Sequence, residues 1–508
     1  MARAETAFTH REVLRMLSGI LLCMLLAALD QTVLATALPA IAGDFNSVPH
    51  LSWAITAYLL TSTAATLIFG KLSDLYGRRI LLETAIGLFL VASLACAVSQ
   101  TMGELIGARA LQGVGGGGLT SMTQAAIADV VSARERGRYQ AYITCTFGAA
   151  SIAGPLIGGL SVQYLTWRWA FWINLPVGLL AYFLCHRGLR RLPVAHARRA
   201  IDFLGAALML PGVTALMLVI AWGGSEMAWS SAPILGLAAA GVAFLAAFAL
   251  QERRAPDALL PPRLFANQVV RVGILANALV TATMYGIIML LPVFLQFVVG
   301  VTPSASGAML LPPLTVQIAV SILVGWRLRA SGRYALMSRW GFASLALACA
   351  LFATMSAATP IVVIEAYMLF YGVGVGLCMA PLWVAVQNAA ELRDLGAVTG
   401  SNGFFRALGG AFGAALLWSV LLAALDRNVA AGGHADYGSA LLRGGRAALT
   451  ALPIEARAIV LPALAHAFAY AFCLAAAIAL AGLAVSWRLK EIPLRTTTLR
   501  PAERAAAQ

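Results

Sequence analysis

Long apolar stretches alternate with short polar segments along almost the whole chain. Each stretch is about as long as the roughly 20 residues that a helix needs to cross a bilayer. The pattern predicts about fourteen spanning helices, at residues 13–38, 51–70, 80–99, 103–125, 138–162, 169–187, 202–222, 232–251, 271–298, 304–326, 336–356, 361–386, 399–425 and 462–487. The chain is therefore predicted to be an all-α polytopic membrane protein.

Basic residues occupy alternate segments between these stretches. They are Lys71, Arg78, Arg79, Arg134, Arg136, Arg138, Arg187, Arg190, Arg191, Arg198, Arg199, Arg253, Arg254, Arg263, Arg327, Arg329, Arg333 and Arg393. Arg168 is the main exception in the short segments on the other side. Because basic loops stay cytoplasmic, both termini are predicted to be cytoplasmic, which agrees with an even helix count. The predicted location is a bacterial inner (cytoplasmic) membrane, crossed many times.

The helices fall into two comparable blocks with two further helices between them. The predicted parts are a cytoplasmic tail at 1–12, a six-helix bundle at 13–187, two additional helices with linkers at 188–270, a second six-helix bundle at 271–487 and a cytoplasmic tail at 488–508. The second bundle includes a long periplasmic loop at 426–461, where the spacing of Ala440, Leu441, Leu442, Ala447 and Leu449 allows a short amphipathic helix. The role of this loop stays open. Transporters commonly consist of such repeats, with the substrate site between them.

Composition narrows the classes of function. Of the 508 residues, 11% are charged and 61% hydrophobic, whereas soluble proteins average about 25% charged residues. The net charge of +14 comes from the loops, which indicates membrane anchoring and not nucleic-acid binding. The seven cysteines are scattered without CxxC spacing, so neither a disulfide framework nor a metal site is expected. No catalytic motif such as HExxH appears, so an enzyme is not expected.

Asp30 is a carboxylate well inside the first apolar stretch. A charge at that depth costs at least about 2.5–3.5 kcal/mol, so it needs a partner, a wet cavity or a proton. At 1.5 Å per residue, Asp30 and Arg109 of the oppositely directed fourth helix lie about 25 Å and roughly 20 Å from the same membrane face. They are predicted to meet. With Arg109 drawn away, burial favours protonated Asp30; the alternative is a static ion pair that fixes helix packing.

The polar segment at 70–79, between helices two and three, combines glycine, acid and paired arginines. Gly70 permits close helix approach and Gly77 supplies a tight turn. Asp74 can face the positive N-terminal end of a neighbouring helix, while Arg78 and Arg79 can pair with carboxylates. We therefore predict a cytoplasmic latch that holds in one conformation and releases in the other.

This segment resembles the loop signature of the major facilitator superfamily. Other segments resemble motifs of its fourteen-helix drug:proton antiporters, namely 29–33, 37–39, 109–115, 148–159, 167–178 and 202–205, with Pro292, Gln296, Gly300, Pro303, Gly307, Pro312, Arg406, Gly409, Gly410 and Gly413. The likeness extends from about residue 13 to residue 487. It implies the major facilitator fold, with two six-helix bundles and two extra helices, and multidrug efflux driven by the proton gradient without a cofactor.

The resemblance also implies roles for two motifs. The fourth-helix motif that contains Arg109 is associated with proton transfer. The fifth-helix antiporter motif, Gly154, Pro155, Gly158 and Gly159, is associated with the direction of export. On physical grounds, small residues let helix five pack closely and Pro155 bends it, so ordinary helix packing is the alternative.

The candidate substrate-cavity residues are polar, flexible or aromatic side chains that can re-pack around varied ligands. They are Gln112, Gln124, Met284, Tyr285, Gln296, Gln387, Asn388 and Phe404. Core packing is the alternative for each of them. Some drug exporters of the family that this chain resembles carry an acid in the tenth helix, but the tenth helix here, at 304–326, contains none. This departure disfavours divalent cations and leads us to predict neutral or monocationic lipophilic substrates.

The expected partners are lipophilic small molecules, protons and the lipid bilayer. Two alternatives remain: a dedicated exporter of one compound, such as an antibiotic or siderophore, and a non-transporting membrane receptor. Substrate identity, proton stoichiometry, oligomeric state and the presence of a periplasmic adaptor stay open.

Overall fold

The computed structural model describes residues 10–45, 51–131, 133–189, 202–223, 227–255, 258–391, 394–431 and 454–495. Within these residues the regular structure is helical, apart from one isolated bridge between Gly223 and Met227. The prediction of an all-α protein is therefore confirmed. The basic residues at 190–201 and the helix predicted near 440–449 lie outside the described residues.

The helices follow one another through short connections. The first are α1 (His10–Asp44), α2 (Leu51–Tyr76), α3 (Arg78–Val98), α4 (Met102–Val130), α5 (Ala133–Tyr164), α6 (Trp169–Trp172), α7 (Asn174–Gly188), α8 (Phe203–Trp222) and α9 (Ala232–Arg254). The others are α10 (Pro262–Ala266), α11 (Gln268–Phe294), α12 (Pro303–Met309), α13 (Leu311–Ser331), α14 (Tyr334–Phe352), α15 (Ile361–Ala389), α16 (Leu395–Ala431) and α17 (Ile454–Trp487).

Among the described residues, 12 helices are long and apolar enough to cross a membrane. The other two predicted spans correspond to α4 and α8. Helix α4 has 29 residues, but its glycines and polar side chains dilute its apolar character. The apolar part of α8 is the shorter stretch Leu204–Ile220. The chain is thus a multi-pass membrane protein, and the count of fourteen stays a prediction.

Several element bounds differ from the predicted ones. Predicted helix six is broken at Ile173, between α6 and α7. Predicted helix nine ends in a π-helical turn, Leu295–Val299, closed by Gly300 at a φ of 83°. Predicted helix ten is divided into α12 and α13 at Leu310. Hydropathy does not detect these interruptions, because the side chains on both sides of each break are apolar.

The predicted outer segment 426–461 is shorter than expected. Helix α16 continues to Ala431, and α17 begins at Ile454. Both helices therefore project past the apolar stretches that defined them in the sequence, and the residues between them lie outside the described part of the chain.

Each half of the molecule has its own apolar core. In the first half, α4 packs against α2 and α3, and the absence of side chains on its glycines permits this. A Cβ at Gly117 would lie 2.1 Å from the Ser62 carbonyl oxygen, and one at Gly115 would lie 2.7 Å from the Phe89 nitrogen. In the second half, a large cluster around Phe294, Phe352, Phe468 and Phe472 joins α11, α14 and α17.

The halves meet through α2 against α16 and α5 against α13. A Cβ at Gly70 would lie 2.8 Å from the Cα of Gly400, so the two backbones are in direct contact there. On the other side, the Gly148 position faces Ile318 at 2.5 Å. We call the end of the molecule that carries Lys71 and Arg78 the basic end.

Helix α8 lies beside α2 and α16, and α9 packs against α8. An apolar cluster formed by Leu67, Met209, Phe248, Leu259 and Phe404 holds this contact. At the basic end, Glu252 accepts hydrogen bonds from the backbone nitrogens of Leu259 and Leu260 at 3.1 and 2.7 Å. These hydrogen bonds fix the connection between α9 and α11 at the basic end.

Candidate functional site

Asp30 and Arg109 form a buried ion pair inside the first half. Arg109 Nη1 donates a hydrogen bond to Asp30 Oδ2 at 2.6 Å, and each side chain is 1% exposed. The contact that the sequence predicted from helix depth is therefore present. Its role in proton coupling remains a proposal.

Neutral side chains complete the coordination of Asp30. Its Oδ1 accepts hydrogen bonds from Gln112 Nε2 at 2.8 Å and from Asn174 Nδ2 at 3.0 Å. Gln112 Oε1 also accepts from Arg109 Nη1 at 2.6 Å. Ser93 Oγ accepts from Gln112 Nε2 at 2.8 Å. The carboxylate is thus held directly by α4 and α7. Helix α3 supports it indirectly, because Ser93 binds Gln112.

Arg109 also lies against an aromatic ring. Its guanidinium carbon lies 4.3 Å from the centre of the Tyr58 ring, a distance at which the ring face attracts a cation. Tyr58 is 1% exposed, so this contact is dry as well. In this conformation the whole cluster is closed to solvent, and Asp30 can lose its ionic partner only if α4 moves relative to α1.

The sequence missed Ser93, Asn174 and Tyr58 as parts of this cluster. They are neutral, and placing a neutral polar side chain in an apolar stretch costs too little free energy for the sequence to indicate that it needs a partner. The one usable signal was for Asn174, which lies in the segment 167–178 that resembles a family motif. Gln112, expected in the substrate cavity, belongs to the ion-pair cluster instead.

The predicted latch residues connect the two halves. Asp74 Oδ1 and Oδ2 accept hydrogen bonds from the backbone nitrogens of Gly396 and Ala397 at 3.0 and 2.9 Å. These are unpaired N–H groups of the first turn of α16, where the helix dipole favours a negative charge. The predicted encounter between Asp74 and a helix N-terminus is therefore present.

Arg78 ties the same carboxylate to α4. It pairs with Asp74 Oδ1 at 2.6 Å and with Asp129 Oδ2 at 2.8 Å. Gly77 has a φ of 89°, which a residue with a side chain adopts with strain. Arg79 lies apart from the contact between the halves, since it pairs with Glu83 at 2.7 Å.

The antiporter motif lies against the helix that carries Asp30. A Cβ at Gly154 would lie 2.0 Å from Thr32 Oγ1, and this hydroxyl donates to the Ala150 carbonyl at 3.1 Å. Gly158 is also buried. Gly159 is exposed, and nothing lies within 4 Å of its Cβ position. The side chain of Pro155 is outside the described residues.

The other cavity candidates do not form one group. Asn388 Nδ2 donates to the Pro493 carbonyl at 3.2 Å, at the basic end. Phe404 is in the apolar cluster beside α8. Gln296 Nε2 donates to Ser306 at 2.9 Å, and Met284 is in the core of the second half. For these four residues, packing or local bonding describes the observed environment.

Gln124 and Gln387 lie at the contact between the halves, and Tyr285 is a half-exposed residue of α11 in the second half. Gln387 Nε2 donates to the Gln124 carbonyl at 3.4 Å and to Thr399 Oγ1 at 3.2 Å. Tyr285 is 44% exposed and packs against Gly410 of α16. These three remain candidates for a site between the halves.

At the opposite end, Arg168 is neutralised by Asp44. Asp44 Oδ2 accepts from Trp167 Nε1 at 2.9 Å and from Arg168 Nη1 at 3.0 Å. These hydrogen bonds, first that of Trp167 and then that of Arg168, hold the pKa of Asp44 below its usual range. Arg168, the exception to the predicted charge pattern, thus has a local carboxylate.

The sequence profile of the Major Facilitator Superfamily matches residues 20–202 and 192–414. The chain is 36% identical to an uncharacterized MFS-type transporter of Mycobacterium tuberculosis over 479 residues, which are 93% of this chain and 68% of that protein. It is also 36% identical to the multidrug transporter protein MdtP of Bacillus subtilis over 406 residues, 80% of this chain and 75% of that protein.

A solved structure of the proton:xylose symporter XylE aligns with 98% of this chain and 99% of its own, at a TM-score of 0.64 and 13% sequence identity. At that identity the likeness concerns the fold alone.

Proposed function

The chain belongs to the major facilitator superfamily and is a transporter, not an enzyme; on this premise we propose that it exports lipophilic small molecules in exchange for protons. Relatives named multidrug transporter and multidrug resistance protein support the direction of transport. Neutral or monocationic charge on the substrates stays a prediction from the sequence alone.

The observation that carries this proposal is the dry contact between Asp30 and Arg109. Its partners are on α4 and α7, so a shift of α4 against α1 separates the charges. A buried carboxylate without its cation is unfavourable, so Asp30 then takes up a proton. When Arg109 returns, the proton leaves. Uptake of the proton from the outer side and its release to the inner side transfer one proton per cycle through this pair.

The latch and the antiporter motif couple this exchange to movement of the halves. Asp74 holds the start of α16 while the basic ends are together, and its release lets them separate. Gly154 keeps α5 in contact with Thr32, two residues from Asp30, so rearrangement of α1 is passed to α5. We propose that the observed conformation is the one closed at the basic end.

We further propose fourteen spans, in agreement with the fourteen-helix drug:proton antiporters. In this arrangement α4 and α8 also cross the membrane, together with the helices that are apolar enough to cross it on their own. The six-helix bundles are α1–α7 and α11–α17, with α8 and α9 between them. The basic end faces the cytoplasm of a bacterial cell, and both termini lie on that side.

The substitution Asp30→Asn tests the proposal. It keeps the size of the side chain and one accepting oxygen but removes the charge and the titratable group, so proton-coupled export should be lost while the protein still reaches the membrane. The measurement is drug-induced proton movement in membrane vesicles, followed with a pH-sensitive dye. Asp44→Asn is the matched control, because Asp44 is on the same helix and its side chain is 48% exposed.

Undiminished proton-driven transport by the Asp30→Asn protein would show that another group carries the proton. Equal losses in the Asp30→Asn and Asp44→Asn proteins would show that the assay reports folding of α1, which also counts against the proposed role of Asp30.

A further inference from the structure

Arg406 is an arginine inside α16 whose guanidinium has no partner among the described residues. It is the twelfth residue of the helix, about 17 Å from its start at 1.5 Å per residue, and within the candidate span Leu395–Leu425. It is half-buried. Its Nε is buried without a hydrogen-bond partner, and its guanidinium has neither an ion pair nor a hydrogen bond with any residue that the structure describes.

The sequence provides no carboxylate for it nearby. Between Leu395 and Leu425 there is no acid, and α11, which packs along this part of α16, contains none. Asp30 is already bound by Arg109. Because an intramembrane charge is costly unless it has a partner or a function, the contrast with Arg109 indicates that Arg406, which no described residue neutralises, is available to a ligand.

A second unpaired donor lies one turn away on the same helix. Asn402 is fully buried and accepts a hydrogen bond from Asn277 Nδ2 at 3.0 Å. This leaves Asn402 Nδ2 and Asn277 Oδ1 buried without partners. Exchanging the orientation of both amides still leaves one donor unpaired. A residue and the one four positions later lie on one face of a helix, so the amide and the guanidinium are adjacent.

This face of α16 lies between the face that packs against α11 and the face that contacts the first half, since Gly409 faces Ala278 of α11 and Gly403 faces Thr66 of α2. Thr399, two turns before Arg406 on the same face, accepts a hydrogen bond from Gln387, which also reaches Gln124 of the first half. One turn beyond Arg406, Gly410 contacts the half-exposed Tyr285. Arg406 therefore lies deeper in the membrane than the polar contact that joins the halves.

We propose that Arg406 and the Asn402–Asn277 pair form a subsite for a monoanionic acidic group on the substrate, such as a carboxylate attached to a lipophilic body. Two adjacent unpaired donors, one of them charged, suit carboxylate oxygens. The inference rests on the proposed export function and specifies its substrate class. It replaces the predicted neutral or monocationic charge, which was based on the lack of an acid in α13 and gave no weight to Arg406.

An electrical consequence follows for transport. A monoanion that leaves in exchange for an entering proton moves charge inward in both steps, so an inside-negative membrane potential accelerates export. A monocation exchanged for one proton moves no net charge. Potential-dependent export of an acidic substrate is therefore expected.

The test compares fusidate, a lipophilic carboxylate, with its uncharged methyl ester. Binding is measured by isothermal titration to the protein in lipid nanodiscs, without a proton gradient. Wild type should bind fusidate more tightly than the ester. Arg406→Gln should weaken fusidate binding at least about tenfold, which is the scale of one lost charged contact, and leave ester binding unchanged. Arg427→Gln, an exposed arginine on the same helix, is the matched control.

Thermal stability distinguishes this role from a structural one. Without ligand, Arg406→Gln should unfold at the same or a higher temperature than wild type, because it removes an unpaired charge from the membrane interior. Arg406→Lys, which keeps the charge but loses the planar fork, should retain part of the preference for fusidate over the ester.

Three results would overturn the inference: equal affinity of wild type for fusidate and ester, equal weakening of both ligands in Arg406→Gln, or a lower unfolding temperature of that variant without ligand. Binding is independent of proton coupling. Loss of the coupling role of Asp30 would therefore refute the proposed function and leave the Arg406 subsite intact.

Discussion

At Gly154, the space that a single methyl group would occupy is filled by Thr32 of α1. We predict that Gly154→Val pushes α5 away from α1 and sharply lowers the export rate, since overpacking of this kind costs about 1–3 kcal/mol. The measurements are substrate efflux from loaded cells and the unfolding temperature of the purified protein. Gly159→Val is the matched control, because the space around that position is open.

The two valine variants should differ clearly. If Gly159→Val impairs export as strongly as Gly154→Val, the effect comes from a general loss of helix flexibility, and the close contact with Thr32 is not what matters.

At the residue scale, charge was the predictable part of the site. The depths of Asp30 and Arg109 along oppositely directed helices predicted their contact, because an intramembrane charge must find a partner. Ser93 and Asn174 could not be predicted in the same way. Neutral polar groups satisfy themselves with helix carbonyls as easily as with each other, so their partners depend on helix rotation, which the sequence does not specify. The different position of Gln112 has the same cause.

The start of α16 is an element whose position depends on one carboxylate from the other half. We predict that Asp74→Asn weakens this contact by about 0.3–2 kcal/mol, the usual value of a negative charge at a helix N-terminus. The basic ends should then separate more often. The measurement is the labelling rate of a single cysteine introduced at Thr399, a buried residue of α16 beside the contact between the halves, in a cysteine-free background. This rate should rise in the Asp74→Asn protein.

Glu104→Gln provides the comparison. Glu104 accepts a hydrogen bond from the Gln100 nitrogen at 2.8 Å at the start of α4, but it does not connect the halves. An unchanged labelling rate in Asp74→Asn, or an equal rise in Glu104→Gln, would contradict the latch.

At the element scale, apolar runs predicted where helices exist, and failed where a helix is interrupted. The break at Ile173 and the π-helical turn at Leu295–Val299 are surrounded by apolar residues, so hydropathy is blind to them. The sequence also predicted that α16 ends before Ala431 and that α17 begins after Ile454, so both helices are longer than expected. A helix does not stop at the membrane surface when its outer residues can still form backbone hydrogen bonds.

At the scale of the whole molecule, the contact of α2 with α16 is the one that the proposed export cycle must open near the basic end. The Gly403 Cβ position is 2.7 Å from Thr66 Cγ2, close enough for a disulfide between cysteines at these two sites. We predict that Thr66→Cys with Gly403→Cys, in a cysteine-free background, stops export after oxidation and regains it after reduction. The measurement is efflux from proteoliposomes before and after each treatment.

Each single-cysteine variant should be insensitive to oxidation. Full export by the oxidised double variant, with cross-linking verified by mass spectrometry, would mean that the basic end does not open during transport.

The arrangement of whole helices was the least accessible feature from physical reasoning on the sequence. Hydropathy gives the approximate positions and the order of the long helices but not their neighbours, and the expectation of the major facilitator arrangement came from resemblance. The position of α8 beside α2 and α16 illustrates this. Their contact depends on the shape of Leu67, Met209 and Phe404, and apolar residues that face lipid look the same in the sequence.

The glycines of α4 have a consequence for biogenesis. A helix interior rich in glycine loses about 1 kcal/mol per glycine relative to alanine, and α4 is also among the least apolar of the long helices described. It therefore partitions poorly into lipid when it leaves the translocon alone. Helices α2 and α3 are synthesised first, and their surfaces at Ser62 and Phe89 receive it. Arg109 thus enters the bilayer on a helix that inserts poorly alone, and the earlier helices act as its intramolecular chaperone.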